Sequence, residues 1–381
     1  MGAHSPWMAA GMPLVLMLAA CSGGSDDPPA QPAAPEPTAP TPAPSPAPPP
    51  LPSSLFVLGD SLSDIGNVAA LADYALNQPI DPPTVGLCNP IEVLVLKRRC
   101  DDLFYLESRV SDAPVAVERL AALLGLPPLR PSLHLIPNQP RVGTVYAVGG
   151  AKARGTSDAD LARQVDWLLV DHALLPQDAI YVVIIGGNDA IDALQADAAN
   201  PAASVKPSAA VVANAVNAIG TQVERLLDFG ARRVVVANVP DLAALPATRV
   251  AARASADETA ALAAANAISV AFNDALAAKL DAIEAKAHWL PPTPVIERFD
   301  LYAALSAARD ALAANGGNVV DACFASDVYR ESPSGQRVFH PDCAPVSADG
   351  PPRFSGFEFF DSIHPTGATH AAIGDALRTL F

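Results

Sequence analysis

Basic residues are scarce: 24 Lys and Arg stand against 40 Asp and Glu, and no Lys or Arg occurs before residue 54. The formal charge of -16 argues against nucleic acid, whose protein surfaces need clustered cations to displace counterions. Aromatic residues are only 6% of a chain that is 50% hydrophobic, so the core must come mostly from Ala, Leu and Val. The apolar run Met12–Ala20 is too short to span a bilayer comfortably. The cysteine spacings fit no common zinc ribbon, and neither a metal nor a cofactor is expected. No internal repeat is evident. What remains is length: 381 residues, enough for one large domain or two small ones.

The N-terminus reads as a targeting segment, residues 1–20, outside the fold. Its n-region carries His4 but no Lys or Arg. The stretch Leu18-Ala19-Ala20-Cys21-Ser22 resembles a bacterial lipobox, which implies that Cys21 is lipidated and becomes the mature N-terminus. Residues 21–53 then form a tether. Thirteen of the 39 prolines lie between Asp27 and Ser53, with no apolar periodicity to bury. As polyproline II, at roughly 3.1 Å per residue, it would reach about 80 Å. The expected location is the bacterial cell envelope, as an outer-membrane lipoprotein facing the periplasm or the cell surface. Cys88, Cys100, Cys323 and Cys343 remain, and an even count in an exported chain favours disulfides. Three pairings are possible, the simplest being Cys88–Cys100 with Cys323–Cys343.

Residues 54–381 alternate apolar runs of strand length with Ala-rich helical stretches, the pattern of an α/β domain with a parallel sheet. The runs are Leu55–Leu58, Thr144–Val148, Ile180–Ile185, Arg233–Asn238 and Pro294–Arg298. Their continuous apolar character suits strands covered on both faces. Helices are expected near 62–76, 112–125, 157–173, 206–229, 256–287 and 300–314, with a last one starting near Pro365 and running to the C-terminus. Residues 77–111 and 316–354 read as irregular insertions that shape a pocket.

Three of the runs end in glycine turns: Gly59-Asp60-Ser61, Gly149-Gly150-Ala151 and Gly186-Gly187-Asn188-Asp189. In a parallel sheet such turns converge at the carboxyl edge, where open α/β folds bind ligands. Ser61 would sit at the N-terminus of the next helix, where developing negative charge is favoured. Ser63 is the better candidate for the plain N-cap. The chain ends in Asp361-Ser362-Ile363-His364-Pro365-Thr366. A serine, a histidine and an acid are the three groups that acyl transfer requires. No G-x-S-x-G elbow occurs, which disfavours the α/β-hydrolase fold. Asp64 and Asn67 are expected to brace the turn after Ser61, and Asp189 to be structural. His370 reads as structural or exposed.

Four ordered segments carry a resemblance to the GDSL, or SGNH, hydrolase family. They are Gly59-Asp60-Ser61-Leu62-Ser63-Asp64-Ile65-Gly66-Asn67, Tyr146-Ala147-Val148-Gly149-Gly150-Ala151, Gly186-Gly187-Asn188-Asp189 and Asp361-Ser362-Ile363-His364-Pro365-Thr366. The resemblance implies a three-layer α/β/α sandwich on a mainly parallel five-stranded, flavodoxin-like sheet. It implies Ser61 as nucleophile, His364 as base and Asp361 as the acid that orients it. It implies an oxyanion hole from the Ser61 N–H, the Gly150 N–H and the Asn188 amide, with Gly149 the alternative to Gly150. The expected activity is hydrolysis of carboxylic esters, with an acyl ester, a lipid or an acylated sugar as substrate. Membrane tethering adds phospholipase activity to that range. Acyl transfer to another acceptor and sugar O-deacetylation use the same triad. An inactive glycan- or partner-binding lipoprotein is the reading from another class, and the intact set Ser61, Asn188, Asp361 and His364 argues against it.

Overall fold

The computed structural model of the protein describes residues 52–75, 109–324, 339–343 and 353–381. The leader, Cys21, nearly all of the tether and the Cys88–Cys100 pair lie outside the described residues.

Four parallel strands form the central sheet: β1 (Leu55–Gly59), β2 (Ile180–Ile184), β3 (Arg233–Ala237) and β4 (Val295–Phe299), in that spatial order. Leu55 pairs with Ile180, and Val234 with both Tyr181 and Ile296. Every residue of β1 and β2 is buried, as their unbroken apolar sequences require of strands covered on both faces. Segment 144–148 fills the fifth position, outside β1. It is paired through Val57 N–H to Thr144 O at 2.9 Å, Tyr146 N–H to Val57 O at 2.7 Å and Val148 N–H to Gly59 O at 3.1 Å. Its outer edge is paired in turn by residues 130–132, through Val145 N–H to Arg130 O at 3.1 Å and Ser132 N–H to Val145 O at 2.9 Å. The Asn67 amide donates to Val145 O at 2.7 Å and Ala147 O at 2.9 Å, while its Oδ1 accepts the Leu133 N–H at 2.9 Å.

The helices in chain order are α1 (Asn67–Ala75), α2 (Ala116–Leu123), α3 (Leu161–Asp171), α4 (Gly187–Ala199), α5 (Ser208–Asp228), α6 (Pro246–Arg253), α7 (Glu258–Ala287), α8 (Leu301–Ala314) and α9 (Gly367–Arg378). Alternate strand residues face opposite layers. Phe56, Leu58, Tyr181, Val183, Val234 and Val236 pack against α3, α4, α5 and α7. Leu55, Val57, Ile180, Val182, Val235 and Ala237 pack against α2, α8 and α9. The result is the three-layer α/β/α sandwich.

Several local expectations are corrected. The first helix begins at Asn67, not near residue 62, because the Asp64 carboxylate takes the cap: Oδ1 accepts from Gly66 and Asn67, Oδ2 from Val68. Ser63 does not cap. Its hydroxyl is buried without a hydrogen-bond partner. The last helix, by contrast, starts where expected, near Pro365: Thr366 caps it and Gly367 is its first residue. Helices α4 and α6 were not expected from the sequence. The stretch 316–354 is not wholly irregular. It contains β5 (Asn318–Ala322), which pairs in parallel with β6 (Phe357–Phe359) in a second, two-stranded sheet. Cys323 and Cys343 are joined in a disulfide beside that sheet, as the exported-chain reading anticipated.

Asn67 is buried, and truncating it leaves the Ala147 carbonyl and the half-buried Leu133 N–H without this partner, while Val145 O keeps the Ser132 N–H. Asn67→Ala is expected to lower the unfolding free energy by roughly 3 kcal/mol, since each unsatisfied group costs about 1–3 kcal/mol. Urea denaturation checks this, and a loss below about 1 kcal/mol would mean that water replaces the amide.

Candidate active site

The chain leaves β1 in the middle of the sheet, runs out to segment 144–148 on one side, and returns to β2 on the other. That reversal is the switch point at which open α/β sheets leave a crevice beyond their carboxyl ends. Asp60 and Ser61 sit there. Gly59 is required by close approach: a Cβ on it would lie 2.2 Å from Ile184 O. Gln164 clamps the same residue, Oε1 accepting the Gly59 N–H at 2.8 Å and Nε2 donating to Gly59 O at 2.7 Å. Asp60 O then accepts from the N–H groups of Ser63 and Asp64, closing the turn that presents Ser61. Ser61 therefore lies on a turn six residues ahead of α1, not on the helix terminus itself.

Asp361 and His364 come from the other end of the chain. β6 leads into a reversal closed by the Phe360 N–H donating to His364 O at 2.8 Å. Within it, Asp361 Oδ1 accepts the backbone N–H groups of Ile363 at 2.9 Å and His364 at 2.7 Å. The same carboxylate meets His364 Nδ1 at 2.9 and 2.8 Å. A carboxylate only accepts, so Nδ1 carries the proton and Nε2 is left as an acceptor. His364 Nε2 lies 2.8 Å from Ser61 Oγ. Serine, imidazole and carboxylate thus form one continuous hydrogen-bonded chain, and all three residues are buried.

The surrounding carboxyls differ in charge. Burial pushes the Asp361 carboxyl up, but the His364 charge and the ring and backbone hydrogen bonds outweigh it, so its pKa falls below the usual carboxylate value. Burial takes Asp60 the other way, to about 7, against the pull of the Leu62 N–H and His364. Asp189 is likewise raised by burial while accepting the N–H groups of Ala153 at 2.7 Å and Arg154 at 3.3 Å. It braces the loop after Gly150, which is the structural role expected of it.

Asn188 lies in the first turn of α4 and lines the same cavity as Ser61 and His364. One amide hydrogen goes to Ala151 O at 2.9 Å, leaving the second for a ligand. Gly149 and Gly150 separate clearly. The Gly149 N–H is committed to Asp64 Oδ2 at 2.8 Å. Gly150, exposed at φ 81°, has no hydrogen bond to its N–H among the described residues. His370 is buried rather than exposed, and its Nδ1 accepts the Ala116 N–H at 3.3 Å. Among the described residues, no group of three or more His, Cys, Asp or Glu is placed to hold a metal ion.

Sequence reasoning missed Gln164, whose partner lies 105 residues away, and the cavity wall from Pro240 to Leu245. It also missed Arg309, which grips the buried Glu358 with Nε at 2.9 Å and Nη2 at 3.1 Å at the cavity edge. Nothing local in the sequence marks these residues.

Asp60 gives a pH prediction. Its carboxyl takes on charge as pH rises through about 7, beside the point where Ser61 would carry an oxyanion. Ester turnover is expected to decline on that alkaline side. Asp60→Asn, which keeps an acceptor for Leu62, is expected to hold its rate to higher pH. Because the native pKa is raised, this group also lowers stability as pH climbs from about 3.8 towards 7. Superimposable pH–rate profiles for the two proteins would remove Asp60 from the account.

A search of curated proteins returns no match. The family described as GDSL-like Lipase/Acylhydrolase matches residues 55–377, from the first residue of β1 to within α9. That span covers most of the chain and includes all four turns described above, and the protein therefore belongs to the GDSL-like Lipase/Acylhydrolase family of ester-hydrolysing enzymes.

Proposed function

We propose that the protein hydrolyses carboxylic esters through a covalent acyl-enzyme on Ser61. The observation that carries this is the unbroken hydrogen-bonded run from Ser61 Oγ through His364 to Asp361. His364 Nε2 takes the hydroxyl proton as Oγ bonds to the ester carbonyl carbon. The charge that develops on the carbonyl oxygen is met by the N–H groups of Ser61 and Gly150 and the free amide hydrogen of Asn188. The tetrahedral adduct collapses, the ester C–O bond breaks, and Nε2 returns its proton to the departing alcohol. Water then repeats the sequence, and the carboxylic acid leaves. Asp361 stays ionised throughout and holds the imidazole in the tautomer that each step needs.

A fluorophosphonate should label Ser61 alone, and Ser61→Ala should abolish hydrolysis in a protein that still folds. Asn188→Ala is expected to lower kcat by roughly a hundred- to a thousandfold with little change in KM, the pattern of a contact made in the transition state. Retained turnover in Ser61→Ala would overturn the assignment of the nucleophile. A proportional rise in KM would place Asn188 in ground-state binding instead.

We also propose that Cys21 anchors the enzyme to a bacterial envelope membrane. The support is the Leu18-Ala19-Ala20-Cys21 segment and the proline-rich stretch that follows. An acylated N-terminus with more than one chain suffices for stable anchoring. Cys21→Ser is expected to move activity from the membrane to the soluble fraction, or to stall processing. A wild-type protein that fractionates as soluble with Cys21 unmodified or removed would refute this.

A further inference from the structure

The cavity that holds Ser61 and His364 has an apolar wall assembled from five separate parts of the chain. Leu62 comes from the nucleophile turn, Ile191 from α4, Leu242 and Leu245 from the loop after β3, Leu305 from α8 and Ile363 from the acid–base turn. The rest of the lining includes charged groups: Asp241, Arg309 and Glu358. The space in which the centre of a water molecule can sit is about 50 Å³. One water needs about 10–15 Å³ of such space, so the cavity has room for roughly four waters, or about 120 Å³ of liquid.

The loop that supplies Leu242 and Leu245 is held on both sides. Along α7, Asn273 bonds both the N–H and the C=O of Val239, at 2.9 and 3.0 Å. Ser269 Oγ accepts the Leu242 N–H at 3.0 Å, and Asn266 donates to Asp241 Oδ1 at 3.0 Å. These three residues follow the i, i+3, i+7 spacing of one helix face. On the far side, the Ala247 N–H donates to Ser362 O at 3.0 Å, inside the acid–base turn. The wall is therefore fixed relative to His364 and cannot swing aside for a larger group.

We infer that this cavity is the acyl subsite and that it restricts the enzyme to short acyl chains, of about four carbons by the volume above. This rests on the acyl-enzyme reading. The acyl group stays on Ser61 through both chemical steps while the alcohol leaves after the first, so an apolar wall fixed to the acid–base turn serves the acyl half. A longer chain gains nothing beyond the leucines. It would press methylenes against the half-buried Arg309 and Asp241, whose loss of solvent is unfavourable.

The test is kcat/KM for p-nitrophenyl esters from acetyl to decanoyl, beside acetate esters of alcohols of increasing length. For the acyl series the value should rise by about fourfold per methylene to butanoyl and fall by roughly tenfold by octanoyl, as overpacking sets in. The alcohol series should show no such break. Leu245→Ala should move the optimum to longer acyl chains. Gly187→Ala should move it to shorter ones. Gly187 lines the cavity, and a Cβ there meets only Asp60 Oδ2 at 3.8 Å, so this variant fills space without strain and serves even if Leu245→Ala is unstable. Rates still rising at decanoyl, long-chain phospholipid vesicles hydrolysed as fast as butanoyl esters, a break in the alcohol series, or an optimum unmoved in Gly187→Ala would each overturn the inference. Ser61→Ala run on the same esters separates the two readings: activity surviving there strikes the nucleophile, whereas a silent Ser61→Ala with a flat length profile strikes the acyl subsite alone.

Discussion

The Asp64 carboxylate is the point on which the site depends. It is fully buried and accepts four backbone N–H groups, from Gly66, Asn67, Val68 and Gly149, at 2.7 to 3.0 Å. The first three start α1 and fix the far end of the turn that carries Ser61. The fourth ties that turn to the glycine pair across β1. Burial alone makes such a carboxylate costly, and the four donors offset much of that cost. The nucleophile and one side of the oxyanion-hole candidate are thus positioned by a single group. Because Asp64 occupies the Gly149 N–H, the neighbouring Gly150 N–H is the one left open.

The acid–base turn is built by a different logic. It lies on no strand of the main sheet and is held from outside. β6 enters it, and β6 is paired with β5, whose chain continues into the Cys323–Cys343 disulfide. Cys323 and Phe324 donate to Phe359 O and Phe360 O at 3.0 and 2.9 Å, directly before Asp361. Thr366 closes the other side, its N–H donating to Glu358 O at 2.9 Å while its residue caps α9. The elements beyond the sheet therefore aim the imidazole, whereas the sheet edge aims the serine.

This division explains what could be read from the sequence. The strands were legible because buried parallel strands need unbroken apolar runs, and Ile180–Ile184 is such a run. Ser61, Asp361 and His364 were legible because a turn writes its chemistry into adjacent residues. Helix α4 was hidden because the Gly186-Gly187-Asn188 turn reads as loop, yet it opens a helix with a short apolar face at Ala190 and Ala193. β5 was hidden by its half-buried residues and its distance from any sheet signal. Ser63 misled as a cap because serine and aspartate are equal candidates by type, and only the approach of Gly149 selects Asp64. Gln164 and the polar face of α7 were illegible in principle, since each acts on backbone tens of residues away.

The four buried aspartates around the site show what these constraints achieve together. Asp60, Asp64 and Asp189 are all raised above the ordinary carboxylate value by burial. Asp361 is also buried, yet it lies below that value because His364 and two backbone N–H groups favour its charge. Environments that push like groups apart assign them different tasks. Here negative charge is favoured at Asp361, behind the imidazole, where in the proposed mechanism it would stabilise the cation formed when Ser61 gives up its proton. Next to Ser61 it is disfavoured, and there the incipient oxyanion would otherwise meet a like charge at Asp60. In an acidic protein with a net charge of -16, burial delays the ionisation of this carboxyl to about pH 7, where an exposed aspartate would long have been charged.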